Sequence, residues 1–196
     1  FIHERTPETS SWTSQHEFGR TQLDSVFEGK VETFAYFNAV PGRNADLLIE
    51  AAISHGADIV FTTSPKLVGA SLRSAVKHPT VRILNCSMEM PYASTYYTRV
   101  YEAKFITGAI AGAMAGTDRI GYVADYPSFG VPANINAFAL GARMVNPRAR
   151  IELRWTCLPD QEDPLAVFTR KGITVVSGRD APVPGRPQQE FGTFLI

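Results

Sequence analysis

The apolar positions of this chain fall into two kinds of run. "DIVFTT", "VRILNC" and "TVVS" are short, unalternated and rich in β-branched residues, the pattern of strands covered on both faces. Between them lie stretches in which apolar residues recur at helical spacing. In chain order, "FI" is the stub of a first strand and "SSWTSQHEFGRTQLDSVFEG" a helix opened by a Ser cap. "VETFAYFNA" is a strand, and "NADLLIEAAISHG" a helix with Asn44 as candidate cap and Gly56 as stop. "ADIVFTTS" is a strand. "PKLVGASLRSAVKHP" is a helix opened by Pro65 and closed near Pro79, "TVRILNCS" a strand, and "TYYTRV" a short extended piece.

The second half repeats the alternation. A helix ending in "GAIAGAMAG" leads into the strand "RIGYVADY", then the helix "PANINAFALGARMVNP" and the strand "ARIELRWTC". A short helix "DPLAVFTRKG", a strand "ITVVSGRD", a proline-rich loop "APVPGRPQQ" and a final strand "EFGTFLI" follow. Strands alternating with helices predict βαβ units and parallel sheets. About four such units precede residue 96 and three or four follow residue 99, so one architecture is written twice. The expected fold is α/β: two Rossmann-like lobes, residues 1–97 and 98–196, with a cleft between them. The opening "FIHE" reads as the end of a buried strand, so the chain is expected to be cut from a longer one and truncated at its C-terminal end.

Gly108, Gly112 and Gly116 stand four apart in the helix before "RIGYVADY". Glycine inside a helix costs about 1 kcal/mol relative to alanine, so the spacing asks for a reason. A membrane span is excluded by length: the uncharged run from Phe105 to Gly116 is 12 residues, against the ~20 a bilayer needs. The expectation is a smooth stripe pressed on a sheet, with Gly116 as the C-terminal cap.

Composition adds little. Lys+Arg and Asp+Glu are 19 each, for a formal net charge of zero, which gives no support for a nucleic-acid or anionic-membrane partner. Cys86 and Cys157 are read as buried thiols, and neither has metal-ligand spacing to other residues. The two His-Glu pairs lack a second His, and neither a nucleophile elbow nor a phosphate-binding loop is present. His55 and His78 close helices and suit C-terminal dipole partners. No catalytic residue, cofactor or metal is expected.

"VYEAKFITGAIAGAMAGTDRIGYVADYP" followed by "INAFALGARMVNPRARIEL" resembles the basic membrane protein (BMP) family, substrate-binding lipoproteins of ABC importers that include purine nucleoside receptors. The resemblance rests on Glu102, Phe105, the Gly108–Gly116 helix, Arg119–Val123, Ala137, Phe138, Gly141, Ala142 and Val145–Pro147. It implies a type I periplasmic binding protein fold with the first lobe ending near Tyr96–Thr98. It also implies an ABC permease partner and an extracytoplasmic, lipid-anchored protein that binds a small solute without enzymatic turnover. A purine nucleoside is the first candidate ligand. The same fold also serves as the ligand-sensing domain of regulators, and a Rossmann-like enzyme is a more distant alternative.

In open parallel sheets, ligands bind beyond the carboxyl ends of the strands. That rule selects Glu4, Trp12, Ser64, Lys66, Ser87, Met88, Glu89, Asp125, Tyr126, Phe129, Trp155 and Asp180. Trp12 and Trp155 suit a clamp on a base or, equally, cover for the core, and Tyr126 and Phe129 compete for the stacking role. Asp125 and Asp180 suit acceptors for a base N–H or ribose hydroxyl, or helix caps. Lys66 reads as a ligand contact or a solvated cation, and the "SMEM" loop as cleft lining.

Overall fold

The computed structural model describes residues 1–87, 94–127, 130–158, 162–180 and 192–196. They fall into two compact units, the first running from Phe1 to Thr98 and the second beginning at Arg99. Each is described by itself.

In the first unit, helix α1 (Ser11–Val26) starts where Ser10 accepts a hydrogen bond from the Thr13 amide. Helix α2 spans Arg43–Ser54, strand β1 Ile59–Thr62, helix α3 Val68–Lys77, strand β2 Arg82–Cys86 and strand β3 Ser94–Tyr96. β1, β2 and β3 pair in parallel in that order. Ile2 extends the sheet through parallel bridges to Thr62 on one side and Tyr36 on the other. Across the sheet the extended segments therefore run second, first, third, fourth, fifth in chain order. The core joins Ile2, Ile49, Val60, Leu67 and Ile83.

Two local expectations need correction. "VETFAYFNA" joins the sheet through the single bridge at Tyr36 rather than as a full strand. Asn44 does not cap α2: Gly42 holds that position at φ 99°, and the Asn44 carboxamide oxygen accepts from the Val40 amide. The turn needs a left-handed residue, which only glycine adopts without strain.

In the second unit, helix α4 spans Val100–Met114, strand β4 Arg119–Ala124, helix α5 Val131–Val145 and strand β5 Arg150–Trp155. Helix α6 spans Pro164–Arg170, strand β6 Val175–Ser177 and strand β7 Thr193–Leu195. The sheet order is β5-β4-β6-β7; the first three are parallel and β7 is antiparallel to β6. α4 and α5 cover one face over Ile120, Tyr122 and Phe138, while Phe168 and Ile173 cover the other. Covering on both faces is what the unalternated strand pattern requires.

The glycine stripe packs on a helix, not on the sheet. A methyl group at Gly108 would land on the Phe138 carbonyl, and one at Gly112 would lie 2.5 Å from the Ala142 carbonyl oxygen. A methyl at Gly141 would collide with the Phe105 carbonyl. The absent side chains thus let two backbones touch. Gly116 lies beyond the helix with open space around it, and the cap is Ala115 in an extended conformation.

Candidate functional site

The order second-first-third in each unit creates a switch point beside its first strand, where the connections leave in opposite directions and open a crevice at the carboxyl ends. In the first unit that crevice is bounded by His3-Glu4 after Ile2 and by Thr63–Lys66 after β1. The Ser64 hydroxyl donates to the Glu4 carboxylate, and Lys66 Nζ lies 3.4 Å from its other oxygen. Ser64 Oγ also accepts from the Lys66 amide, at 3.2 Å, which fixes its rotamer. Asn85 donates to the Ser64 carbonyl at 2.8 Å. Lys66 is 72% exposed, so its pairing with Glu4 is solvent-screened and weak.

Trp12 stands on the first turn of α1, half-buried, with its indole N–H on the Thr63 carbonyl at 2.6 Å. Its ring lies 5.1 Å from that of His16. Beneath it, His3 is fully buried, with Nε2 2.8 Å from Glu17 and Nδ1 2.9 Å from the Thr63 hydroxyl. Burial drives the His3 pKa down to about 4, against the opposing pull of Glu17. The neutral tautomer that satisfies both neighbours donates from Nε2 to Glu17 and accepts at Nδ1 from Thr63. His3 and Thr63 thereby hold the carboxyl ends of the first and third extended segments side by side, under Trp12.

The second unit repeats the arrangement. Asp125 follows β4, and Gly178–Asp180 follow β6. Arg179 Nη1 lies 3.3 Å from Asp125 Oδ1, and the Thr156 hydroxyl donates to the same oxygen at 3.3 Å. In each unit, then, a carboxylate after the first strand faces a cation after the third: Glu4 with Lys66, and Asp125 with Arg179.

Asp180 is held differently. It receives Lys104 Nζ at 2.7 Å, the Tyr122 hydroxyl at 3.0 Å and the Asn134 amide at 2.9 Å. Lys104 also donates to Ser177 at 3.1 Å and lies 5.1 Å from the Tyr122 ring centre. Burial, with the Asp180 charge beside it, pushes the Tyr122 hydroxyl pKa well up. Sequence reasoning passed over Lys104, Asn134 and Tyr122. For Lys104 the signal was present: it precedes Gly108 by four residues, which places it on the buried face of α4.

Of the remaining sequence-derived residues, Trp155 ends β5, half-buried against the α4–α5 side of the core. Tyr126 is 63% exposed just past β4. Ser87 follows β2 and is buried, and its hydroxyl has no hydrogen-bond partner among the described residues; the same is true of Asn134 Oδ1. Met88, Glu89 and Phe129 lie outside the described residues. A shallow depression of about 580 Å³ lined by Gly112, Gly116, Asp118, Asn146 and Arg148 lies at the C-terminal ends of α4 and α5, the opposite end of the strands from these residues. Among the described residues no group of His, Cys, Asp and Glu is arranged to hold a metal, and no helix is long and apolar enough to cross a membrane.

Residues 2–159 match the family model described as ABC transporter substrate-binding protein PnrA-like, Bmp. The chain is 32% identical over 157 residues to a Brucella abortus protein named purine-binding protein, covering 79% of this chain and 45% of that one. It is 26% identical over 190 residues to TsgA13 of Haloferax volcanii, provisionally named an ABC transporter glucose-binding protein, covering 93% of this chain and 48% of that one. The chain thus spans about half the length of the curated relatives it matches. In fold it is similar to an ABC transporter solute-binding protein from Conexibacter woesei, with a TM-score of 0.69 at 18% identity over 92% of this chain and 62% of that one.

Proposed function

Because this chain belongs to the PnrA-like family of ABC transporter substrate-binding proteins, we propose that it captures a purine nucleoside for an ABC importer, outside the cytoplasm and without turning it over. The observation that carries the reading is the pair of switch-point crevices, each with a carboxylate and a cation facing across it. In the first, Trp12 lies alongside, with its polar edge already satisfied by Thr63 and only its aromatic surface left to offer. A carboxylate accepts from ribose hydroxyls or base N–H groups, and a ring face stacks on a base. Two buried polar atoms without hydrogen-bond partners among the described residues, Ser87 Oγ and Asn134 Oδ1, stand at the same carboxyl ends of the strands and suit the donors and acceptors of such a ligand. The name of the Brucella relative supports the purine class. Its capture is followed by delivery to a permease from a protein anchored at the membrane surface.

A hexose is the second reading, favoured by the name of the Haloferax relative. It would use the same carboxylates through sugar hydroxyls. A nucleoside of roughly 20 heavy atoms, at about 0.3–0.5 kcal/mol per atom, gives about 6–10 kcal/mol of binding free energy.

The test is a thermal-shift and calorimetry panel of purine nucleosides, free bases, hexoses and amino acids. Nucleosides are expected to stabilise the protein by mass action, and Glu4→Gln is expected to lose the effect. A response confined to hexoses replaces the purine with a sugar. No response to any class sinks the capture reading.

A further inference from the structure

We propose that Asn38 contacts the ligand and, beside Glu4, recognises the vicinal diol of a sugar ring; the inference deepens the capture reading above and rests on it. Asn38 ends the second extended segment of the first unit, next to the segment that ends in Glu4. Phe34 and Tyr36 pack against the core that α2 covers, while Phe37 stacks on His3 with ring centres 5.3 Å apart. Alternation along the strand would send position 38 into that core as well. Ala39 lies there instead, 2% exposed, in one cluster with Ile49 and Ala52. Asn38 is left exposed, at φ 60°.

The backbone bonds carry the same insertion. The Tyr36 amide donates to the Phe1 carbonyl at 2.8 Å, and the Tyr36 carbonyl accepts from the His3 amide at 2.9 Å, which is ordinary parallel pairing with Ile2. Regular pairing would next set the residue 38 amide on the His3 carbonyl. That carbonyl accepts from the Ala39 amide, at 2.8 Å. Asn38 is therefore the extra residue of a β-bulge, a device that re-aims a side chain at the end of a strand. Among the described residues it is the one non-glycine with a positive φ. Glycine would make the same turn without strain; what glycine lacks is the carboxamide. That carboxamide makes no hydrogen bond among the described residues. Its neighbour gives the chemistry. Glu4 and Asn38 flank the His3–Ala39 bond at the carboxyl ends of adjacent segments. The Glu4 oxygens are met from the β1 side by Ser64 and Lys66, and each keeps a further lone pair. A carboxylate only accepts, whereas a carboxamide also donates. Side by side they match two neighbouring hydroxyls, one donating to Glu4 and the other accepting from Asn38. Ribose and hexoses both carry such a diol.

Calorimetry of the whole chain with adenosine, guanosine, their 2′,3′-dideoxy analogues and glucose tests the proposal. The purine nucleoside that binds is expected to do so about tenfold or more tightly than its dideoxy analogue. Asn38→Gly keeps the backbone turn and removes the carboxamide. Its melting temperature is expected to be unchanged or higher, while nucleoside affinity falls roughly three- to tenfold and the gap to the dideoxy analogue narrows by the same factor. If glucose binds in place of the nucleosides and Asn38→Gly weakens it to the same extent, a hexose supplies the diol. Equal affinity of the unaltered chain for a nucleoside and its dideoxy analogue overturns the proposal, as does an Asn38→Gly protein that binds its ligand undiminished; either result leaves the capture reading standing. Binding of neither the nucleosides nor glucose removes both.

Discussion

Lys104 Nζ and Asp180 Oδ1 lie 2.7 Å apart with under a tenth of the lysine side chain and 13% of the aspartate side chain exposed. The ammonium has the Ser177 hydroxyl and the face of Tyr122 around it, and the carboxylate has Tyr122 and Asn134 as further donors. A buried pair repays its desolvation only when its remaining valences are filled in this way. The sequence-derived role of Asp180 as a ligand acceptor therefore competes with three donors that already hold it.

Breaking this pair on one side strands a buried charge. Lys104→Met and Asp180→Asn are each expected to cost about 3 kcal/mol, and the double variant clearly less than the sum. Urea unfolding of the four proteins in a double-mutant cycle checks it. Additive losses would show that the two groups do not act as a unit.

Glycine substitutions should split by location. Gly19, inside α1, has open space around it, so Gly19→Ala is expected to stabilise by about 0.5–1 kcal/mol. Gly112→Ala and Gly141→Ala gain the same helix propensity but drive a methyl into the facing backbone. They are expected to destabilise by about 2 kcal/mol or more, as overpacked sites do. Thermal melts of the three variants decide it, and stabilisation by all three would remove the close-contact account.

The first unit should weaken as pH falls. Burial lowers the His3 pKa to about 4 in the folded state, from an ordinary 6.5. Between those values the unfolded chain binds the proton and the folded chain does not. Stability is therefore full above about 6.5 and falls on the way down to about 4, by roughly 3 kcal/mol at most. His16, its pKa also lowered by burial, adds in the same direction. Burial alone would raise the Glu17 pKa, but Arg20 and His3 outweigh it and bring it below its ordinary value. Its contribution is present above the unfolded carboxylate pKa and is lost lower still. His3→Gln should flatten the upper part of a plot of stability against pH; an unchanged slope there would reject the assignment.

The two thiols should differ in reactivity. Cys86 is buried, and burial pushes its pKa up to about 11, whereas Cys157 is exposed. A maleimide at neutral pH is expected to label one thiol in the folded chain and two in denaturant. This corrects the sequence-level expectation of two buried thiols. "RWTC" reads as strand to its end, yet β5 stops at Trp155 and leaves Cys157 in the turn.

Ligand affinity offers a direct probe of the crevices. Trp12→Ala and Trp155→Ala are each expected to weaken nucleoside binding about tenfold or more, from the ~1–3 kcal/mol a stacked base contributes. Calorimetry with the nucleoside that responds in the panel measures it. Unchanged affinity in both would remove the stacking role.

Much of the architecture was legible because it is encoded locally. The strand runs at Ile59–Thr62 and Arg119–Ala124, and the Ser10 cap, follow from patterning and capping rules that need no partner. The β7 orientation was not legible, since no period or turn distinguishes a parallel from an antiparallel last strand. The glycine stripe announced close contact but not with what: a sheet and a second helix both accept a smooth face, and only the reciprocal Gly141, thirty residues on, tells them apart. The crevice residues Glu4, Ser64, Lys66 and Asp125 followed from the carboxyl-end rule. Their cations and buried partners depend on which strands become neighbours, which one strand's sequence does not state.

The glycine contacts also bear on how the second unit opens. With Gly108 and Gly112 seated on the backbone of α5, and Gly141 on that of α4, lifting either helix away forfeits the whole of that contact. The amide hydrogens of both should exchange with solvent at one common slow rate, as a single cooperative block, and a methyl at any of the three positions should uncouple them.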